Sequence, residues 1–221
     1  MALDWEFITK YASLYVEAAK LTVFIAFWGI LLALIVGILC SAAQYYRVPV
    51  ARQVIAAYIE LSRNTPLLVQ LFFLYFGLPN LGIVLSGEAC AIIGIAFLGG
   101  SYMAETLRSG LESIDKSQAE SAASLGFGKW LTMKEIIFPQ AFAVSVPGIC
   151  ANVIFLIKET SVVSGIALAD LMYVAKDLIG LYYQTDEALT MLVIAYLAIL
   201  LPVSIVATLL ERRLRHAGFG N

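Results

Sequence analysis

Long stretches without a charged side chain recur along the chain at lengths typical of membrane-spanning helices. Four of them cover residues 21–46, 64–87, 136–157 and 188–210, and a fifth, 89–104, is completed by residues 105–108. A helix needs about 20 mostly apolar residues to cross the hydrocarbon core of a bilayer. The pattern therefore predicts an all-α integral membrane protein with five transmembrane helices in one domain, residues 1–221. Only residues 81–88 separate the second and third helices, which should form a tight hairpin.

Polar residues interrupt this pattern at two places and predict shorter helices there. Residues 60–66 place charges and Pro66 directly before an apolar run, and a proline removes a backbone donor and clashes with the preceding turn. We therefore expect an interfacial helix over about residues 53–62 and a spanning helix that begins near Thr65. Residues 165–185 are too short and too polar for a further span. They predict an amphipathic re-entrant or interfacial helix on the outer side.

Composition supports a lipid environment. The chain is 61% hydrophobic and 14% charged, and a soluble domain of 221 residues could not cover that much apolar surface. The net charge of −2 gives no indication of a nucleic-acid partner. Cys40, Cys90 and Cys150 all lie in apolar runs and are expected to be free thiols. The acidic first residues lack the basic region of a signal peptide, so the first apolar segment should be retained as an anchor.

The distribution of basic residues predicts the orientation. Five spans put the termini on opposite sides, and cytoplasmic segments carry an excess of lysine and arginine. With the N-terminus outside and the C-terminus inside, four basic residues face outward (Lys10, Lys20, Lys158 and Lys176) and ten face the cytoplasm. The ten are Arg47, Arg52, Arg63, Arg108, Lys116, Lys129, Lys134, Arg212, Arg213 and Arg215.

A polar segment at about residues 112–137 then lies in the cytoplasm and has a helix–turn–helix pattern. Small residues dominate 116–125, so that this helix can approach another surface closely, and Gly126 can end it in a left-handed conformation. A second helical piece is expected over 129–137, and Pro139 marks the start of the next span. The segment contains Glu120, Ser121 and Ala122, with Gly126 after three further residues.

This spacing resembles the EAA loop of bacterial ABC importer permeases, in which a short cytoplasmic helix docks into the ATP-hydrolysing subunit. Four further segments, in order, resemble polar amino-acid permeases: Arg-Asn-Thr-Pro-Leu-Leu-Val-Gln at 63–70, Tyr-Met-Ala-Glu-Thr-Leu-Arg at 102–108, Phe-Pro-Gln-Ala at 138–141 and Lys-Glu-Thr-Ser at 158–161. The resemblance covers about residues 14–213. Ser121, Phe138 and Asn64 depart from the family pattern, where alanine, leucine and glycine stand. Without the resemblance, the polar segment would equally fit a solvated loop.

The resemblance implies the ABC type I importer permease fold and a set of partners. Family members pair with a second permease chain, identical or related, and with two ATP-binding-cassette ATPase subunits in the bacterial inner (cytoplasmic) membrane. A periplasmic or lipid-anchored binding protein delivers the amino acid. The chain lacks the glycine-rich phosphate-loop motif, so ATP is expected on the partner and no cofactor is expected here.

Polar groups at membrane depth are costly and are candidates for the substrate pathway. The candidates are Gln70, Asn152, Lys158, Glu159, Thr160 and Ser161. Each has a structural alternative: Gln70 and Asn152 could satisfy hydrogen bonds between helices, and Lys158 and Glu159 could lie in the headgroup region. Arg63, Pro66, Glu105 and Arg108 are candidates for a structural or gating role, with Glu105 and Arg108 spaced to pair on one helix.

No catalytic or metal-binding set can be assembled, because the single histidine, His216, lies in a basic tail. The sequence therefore predicts the permease subunit of an amino-acid importer that works by alternating access, with a preference for acidic or amide amino acids. Two alternatives remain. The first is a permease for another solute, such as a quaternary-amine osmolyte. The second is an ATP-independent channel or structural membrane subunit, which would not need a coupling loop.

Overall fold

Within residues 3–216, which the computed structural model describes (side chains to residue 214), the chain contains nine α-helices and no strand. The helices are α1 (Trp5–Tyr45), α2 (Ala51–Asn64), α3 (Leu67–Phe72), α4 (Gly87–Glu112), α5 (Lys116–Ser124), α6 (Lys129–Thr132), α7 (Phe138–Glu159), α8 (Leu171–Tyr182) and α9 (Thr185–His216). Predictions for the first two residues and for the side chains of Arg215 and His216 lie outside this part.

In the described part of the chain, four helical segments are long and apolar enough to cross a membrane: Trp5–Tyr45, Gly87–Glu112, Lys129–Ile166 and Thr185–Leu214. They contain four of the five predicted spans. The third of them is continuous because a π-helical turn, Met133–Ile137, joins α6 to α7 and a 3₁₀ turn, Thr160–Ile166, follows α7. The all-helical membrane fold is thus confirmed, while the number of five spans and their orientation stay predictions.

The predicted second span differs from a single straight helix. Instead, α3 passes into a π turn, Phe73–Gly77, and a 3₁₀ turn, Leu78–Leu81, so that the apolar helical run covers 15 residues. Pro79 near the start of the 3₁₀ turn and Gly82, with a φ of +79°, end the run. The predicted break before this apolar run is confirmed, since Thr65 and Pro66 are extended between α2 and α3.

The first helix begins 16 residues before the predicted span. Asp4 caps it by accepting a hydrogen bond from Phe7 N at 3.1 Å, and Phe7, Tyr15 and Ala18 are buried. These residues form one core cluster with α8 and α9, and the Tyr15 hydroxyl donates to Ala188 O at 2.7 Å. Contacts with α8 and α9 therefore stabilise the first turns of α1, which hydropathy alone places outside the membrane-spanning helix.

The main core lies where α1, α3, α4 and α7 meet. Ile25, Leu71, Ile95, Met103 and Leu156 are fully buried there. Gly99 makes this packing possible, because a Cβ at that position would lie 2.8 Å from Ala33 Cβ and 2.6 Å from Leu156 Cδ1. Cys90 is buried in the same core, and all three cysteines are free thiols, as predicted. The core holds α4 in the middle of the bundle, between α1 and α7.

Candidate functional site

The polar segment after α4 folds as the predicted helix and turn. Asp115 caps α5 by accepting a hydrogen bond from Ser117 N at 2.8 Å, and this bond lowers the pKa of the Asp115 carboxyl. At the other end, Gly126 N donates to Ala123 O and Phe127 N donates to Ala122 O, both at 3.0 Å. This pair of bonds is the Schellman motif, and it requires the left-handed backbone that Gly126 adopts at a φ of +84°. The glycine therefore defines the turn.

The other residues predicted for this element occupy different environments. Glu120 and Ser121 are exposed, whereas Ala122 is buried, and α5 packs against the Met133–Ile137 turn. Gln140 reinforces this packing through a bond of 3.5 Å to Gln118 and one of 2.9 Å to Ile136 O. The exposed Pro139 lies at the start of α7, as expected. The outer face of α5 is thus free, and its inner face is attached to the long helical segment.

Large apolar side chains surround the α5 turn on its exposed side. Leu125 is 77% exposed and Trp130 is 74% exposed, with Phe127 between them in sequence. Exposed apolar groups beside polar ones are typical of a binding surface. We predicted no role for these residues from the sequence, although Leu125, Phe127 and Trp130 lie close to Gly126 along the chain and could have been recognised there. Together with Glu120 and Ser121, they form what we call the coupling surface.

An ion-pair network joins α2 and α4 at the end of the helical bundle that carries the coupling surface. Glu105 Oε1 lies 3.2 Å from Arg108 Nη2, which is the pair expected from the sequence spacing. Glu105 Oε2 lies 3.2 Å from Arg63 Nη1, and Arg108 Nη1 lies 2.6 Å from Glu112 Oε2. The network links the end of α2 to α4, although the separation of 42 positions in sequence meant that the Arg63–Glu105 contact could not be predicted from local spacing.

Gln70 lies across the break at Pro66. Its Nε2 donates to Ser62 O at 3.0 Å, Thr65 O at 3.1 Å and Thr65 Oγ1 at 2.9 Å. The bond to Ser62 O satisfies the carbonyl to which residue 66 would donate in a continuous helix, since Pro66 has no N–H. Gln70 thus makes hydrogen bonds of the kind named in its structural alternative, and its place on the substrate pathway stays a prediction. Its Oε1 is buried without a hydrogen-bond partner among the described residues.

The remaining pathway candidates lie along α7 and the 3₁₀ turn after it. Asn152 Nδ2 donates to Thr106 Oγ1 of α4 at 2.9 Å, and Glu159 is half-buried two helical turns further on. Lys158 is exposed, and no carboxylate of the described chain lies within 4.0 Å of its amine. Thr160 is fully buried, with its hydroxyl on Ile157 O at 2.7 Å, and Ser161 is half-buried. Asn152 and Glu159 thus share one helix face, while Lys158 lies on another.

A further carboxylate, Asp170, lies within residues 165–185, for which we predicted an amphipathic helix. Asp170 has no exposed surface, and its Oδ1 caps α8 by accepting from Tyr173 N at 2.9 Å. Its other oxygen has no hydrogen-bond partner among residues 3–214. Burial raises the pKa of Asp170 to about 6. An Asp directly before an apolar helix is a capping signal that could have been read from the sequence.

Comparison with known proteins gives consistent matches over most of the chain. The family model for the inner membrane component of binding-protein-dependent transport systems matches residues 23–216. A probable glutamine ABC transporter permease protein, GlnP, of Bacillus subtilis (strain 168) is 40% identical over 159 residues, covering 72% of this chain and 73% of GlnP. The glutamine transport system permease protein GlnP of Escherichia coli (strain K12) is 31% identical over 217 residues, covering 97% of this chain and 99% of that protein.

A solved structure agrees with these matches. The crystal structure of an amino acid ABC transporter with histidines superposes with a TM-score of 0.88 at 29% sequence identity. The match covers 96% of this chain and 100% of the chain in the crystal. The fold is therefore that of an ABC importer permease, as the sequence predicted.

Proposed function

The chain belongs to the family of inner membrane components of binding-protein-dependent transport systems, and from this we propose that it passes amino acids into the cytoplasm of a bacterium. A binding protein delivers the substrate, and the chain carries it across the inner membrane by alternating access. Two relatives are named for glutamine, and the matched crystal structure is of an amino acid transporter. These names support the sequence-based preference for acidic or amide substrates and narrow it to amide amino acids.

The observation that carries the proposal is the geometry of the coupling surface. A short helix with an exposed outer face ends in a glycine turn surrounded by Leu125 and Trp130, and its inner face is attached to the turn that leads into α7. A body that docks on the outer face can move α7 through this attachment. We propose that this body is an ATP-binding-cassette subunit, one of two in the complex, and that ATP is bound and hydrolysed there. A second permease chain, identical or related, completes the assembly.

The proposed substrate contacts are the polar groups on one face of α7. A glutamine zwitterion carries an ammonium group that needs an acceptor, and a side-chain amide that needs both a donor and an acceptor. Glu159 supplies the first and Asn152 the second, about 10 Å apart along the helix at 1.5 Å per residue. A glutamine molecule is too short to contact both groups fully at the same time. The substrate would therefore contact one group and then the other as it moves along the path.

The test compares two glycines of the coupling loop in the complete, reconstituted transporter. Neither Gly126 nor Gly128 has an atom within 4 Å of an added Cβ, but Gly126 has a φ of +84° and Gly128 a φ of −70°. Gly126→Ala should therefore disturb the turn through backbone strain alone, by about 1–2 kcal/mol. Gly128→Ala is the matched control, and Gly126→Asp is the more severe change.

The readouts are glutamine uptake into proteoliposomes and ATP hydrolysis stimulated by the loaded binding protein. We expect Gly126→Ala to lower both, Gly126→Asp to abolish uptake while the chain stays in the membrane, and Gly128→Ala to behave as the wild type. Unimpaired uptake by Gly126→Asp would contradict coupling. Uptake without any ATPase subunit in the purified complex would favour the channel alternative, and stimulation by an osmolyte in place of glutamine would favour the other permease type.

A further inference from the structure

A polar basin of about 500 Å³ lies where α1 ends and α5 begins. Its walls come from the end of α1, the link to α2, one face of α2, the last turns of α4 and the link to α5. The charged and amide side chains that line it include Gln44, Arg47, Arg52, Arg108 and Lys116. The distribution of basic residues predicts that this is the cytoplasmic end of the protein, which would place the basin at the level of the inner leaflet headgroups.

Three basic residues of the basin have no acidic partner. Among the described residues, Arg47, Arg52 and Lys116 form no ion pair within 4.0 Å. Two of the three acidic residues of the basin are paired within it, since Glu105 and Glu112 lie 3.2 Å and 2.6 Å from Arg108. The third, Glu60, accepts a hydrogen bond from the neutral Asn64 at 3.0 Å and keeps its charge. The four basic and three acidic side chains of the basin leave a formal charge of +1, and the unpaired positive groups are Arg47, Arg52 and Lys116.

The donors suit a phosphate group in particular. A guanidinium offers paired N–H groups that match two phosphate oxygens, and a lysine amine adds a compact charge. Gln44 adds a different feature, since its Oε1 is buried and has no hydrogen-bond donor within the described chain. An acceptor of this kind is satisfied by a hydroxyl group. The combination fits a phosphate that carries a hydroxyl-bearing substituent.

An apolar cleft adjoins the basin and distinguishes a lipid from a free phosphate. The cleft has a volume of about 160 Å³ and shares Tyr45 and Leu111 with the basin. Its other walls include Ile38, Leu107 and Phe142. Tyr45 lines both spaces and Tyr46 lines the cleft, and tyrosines are enriched at the depth where headgroups meet acyl chains. A soluble phosphate would use only the basin, whereas a phospholipid would use both spaces.

We infer that the basin binds the phosphate-bearing headgroup of an anionic phospholipid of the inner leaflet, with an acyl chain along the adjoining cleft. Arg47, Arg52 and Lys116 hold the phosphate, and Gln44 accepts a hydroxyl of the headgroup. Lys116 is also the first residue of α5. The bound lipid therefore contacts the beginning of the helix that carries the coupling surface, and transport should respond to the anionic lipid content of the membrane.

The test measures lipid binding directly, so that its result does not depend on transport. The complete complex is purified and titrated with dioleoyl phosphatidylglycerol or dioleoyl phosphatidylcholine, and bound lipid is counted by native mass spectrometry. The variant is Arg47→Gln/Arg52→Gln. The matched control is Arg212→Gln/Arg213→Gln, which removes the same charge from the same predicted face without touching the basin.

We expect wild type and control to bind phosphatidylglycerol in preference to phosphatidylcholine. The basin variant should bind it about 30-fold more weakly, since each basic residue near an anionic lipid contributes about fivefold. If the double variant does not assemble, Arg47→Gln and Arg52→Gln are tested singly, with about a fivefold loss expected from each. Equal binding by variant and wild type would overturn the inference. Displacement of the lipid by an equimolar concentration of inorganic phosphate would show a soluble-phosphate site instead and would overturn the lipid assignment.

Discussion

Gly110 of α4 lies directly against Ser145 of α7, with no room for a side chain between them. A Cβ on Gly110 would overlap the Ser145 hydroxyl and would lie 2.7 Å from the carbonyl oxygen of Ala141. The hydroxyl can rotate away, but the carbonyl belongs to the backbone of a helix and cannot. Ser145 Oγ donates to Ala141 O of its own helix at 2.8 Å and to Thr106 O of α4 at 3.4 Å, and the second of these bonds joins the two helices.

Gly110→Ala should therefore destabilise the protein, by about 1–3 kcal/mol as is typical of overpacking. The measurement is the thermal unfolding midpoint of the purified protein in detergent. Gly180→Ala in α8 is the control, because nothing lies within 4 Å of its added Cβ and its φ is not positive. That change should be neutral or stabilise by about 0.4–1 kcal/mol. Similar midpoints for the two variants would contradict the close contact of α4 and α7.

Gln70→Leu should weaken the junction between α2 and α3. It removes the donor that satisfies Ser62 O and Thr65 O, and a buried unsatisfied carbonyl costs about 1–3 kcal/mol. Limited proteolysis and thermal unfolding would detect the loosened break at Pro66. Gln53→Leu, at an exposed position of α2, is the control and should change stability by no more than about 0.5 kcal/mol. Equal proteolysis of both variants would show that the Gln70 hydrogen bonds contribute little.

Asp170 should make stability depend on pH in an unusual direction. It lies outside the spanning segments, and burial raises its pKa from 3.8 to about 6. The folded protein therefore holds a proton that the unfolded chain has already lost, and the resulting contribution to stability is full below about pH 4. It is lost as the pH rises to about 6, with an upper limit of about 3 kcal/mol.

Asp170→Asn isolates this contribution, because asparagine can still accept the bond from Tyr173 N and does not ionise. Unfolding midpoints of both proteins should be compared between pH 4 and 7. We expect the variant to gain on the wild type as the pH rises through this window. Asp170→Ala should lose the cap at every pH, at a cost of about 1 kcal/mol. A difference between wild type and Asp170→Asn that does not vary with pH would rule out a buried titrating carboxyl.

Glu159→Gln should alter the ATP hydrolysis that loaded binding protein stimulates, because it removes the acceptor proposed for the substrate ammonium group. Asp177→Asn, at an exposed position of α8, removes an equal charge and should have no effect. Kinetics measured over a panel of amino acids would separate a substrate contact from a general loss of charge. Identical kinetics for Glu159→Gln and the wild type across that panel would remove Glu159 from the pathway.

Local features of the site were accessible from the sequence, because neighbouring residues determine them. The helix 116–124, its end at Gly126 and the Glu105–Arg108 pair all depend on spacings of a few residues. The break at Pro66 is local for the same reason. A resemblance of motifs over most of the chain then gave the fold, which no single helix pattern could have specified.

Features that depend on packing between distant segments could not be predicted from local residue spacing. The burial of Asp170 depends on packing against the first helix, as the 3.4 Å contact of Leu171 N with Thr22 Oγ1 shows. The Arg63–Glu105 pair joins two helices whose relative position only the fold determines. The early start of α1 is set by contacts with α8 and α9, which outweigh the polar character of its first turns.

The uninterrupted helical segment from Lys129 to Ile166 has a mechanical consequence. At about 1.5 Å per residue its 38 residues form a rod almost 60 Å long, with the α5 attachment near one end and Glu159 near the other. From the α5 attachment at Met133–Ile137 to Glu159 the distance is about 36 Å at about 1.5 Å per residue, so a tilt of about 5° at the attachment displaces Glu159 by about 3 Å. Pro147, inside α7, is a point at which the segment can bend. A small closing movement of the ATPase partner that we propose would thus reach the proposed substrate contact as a displacement of about 3 Å.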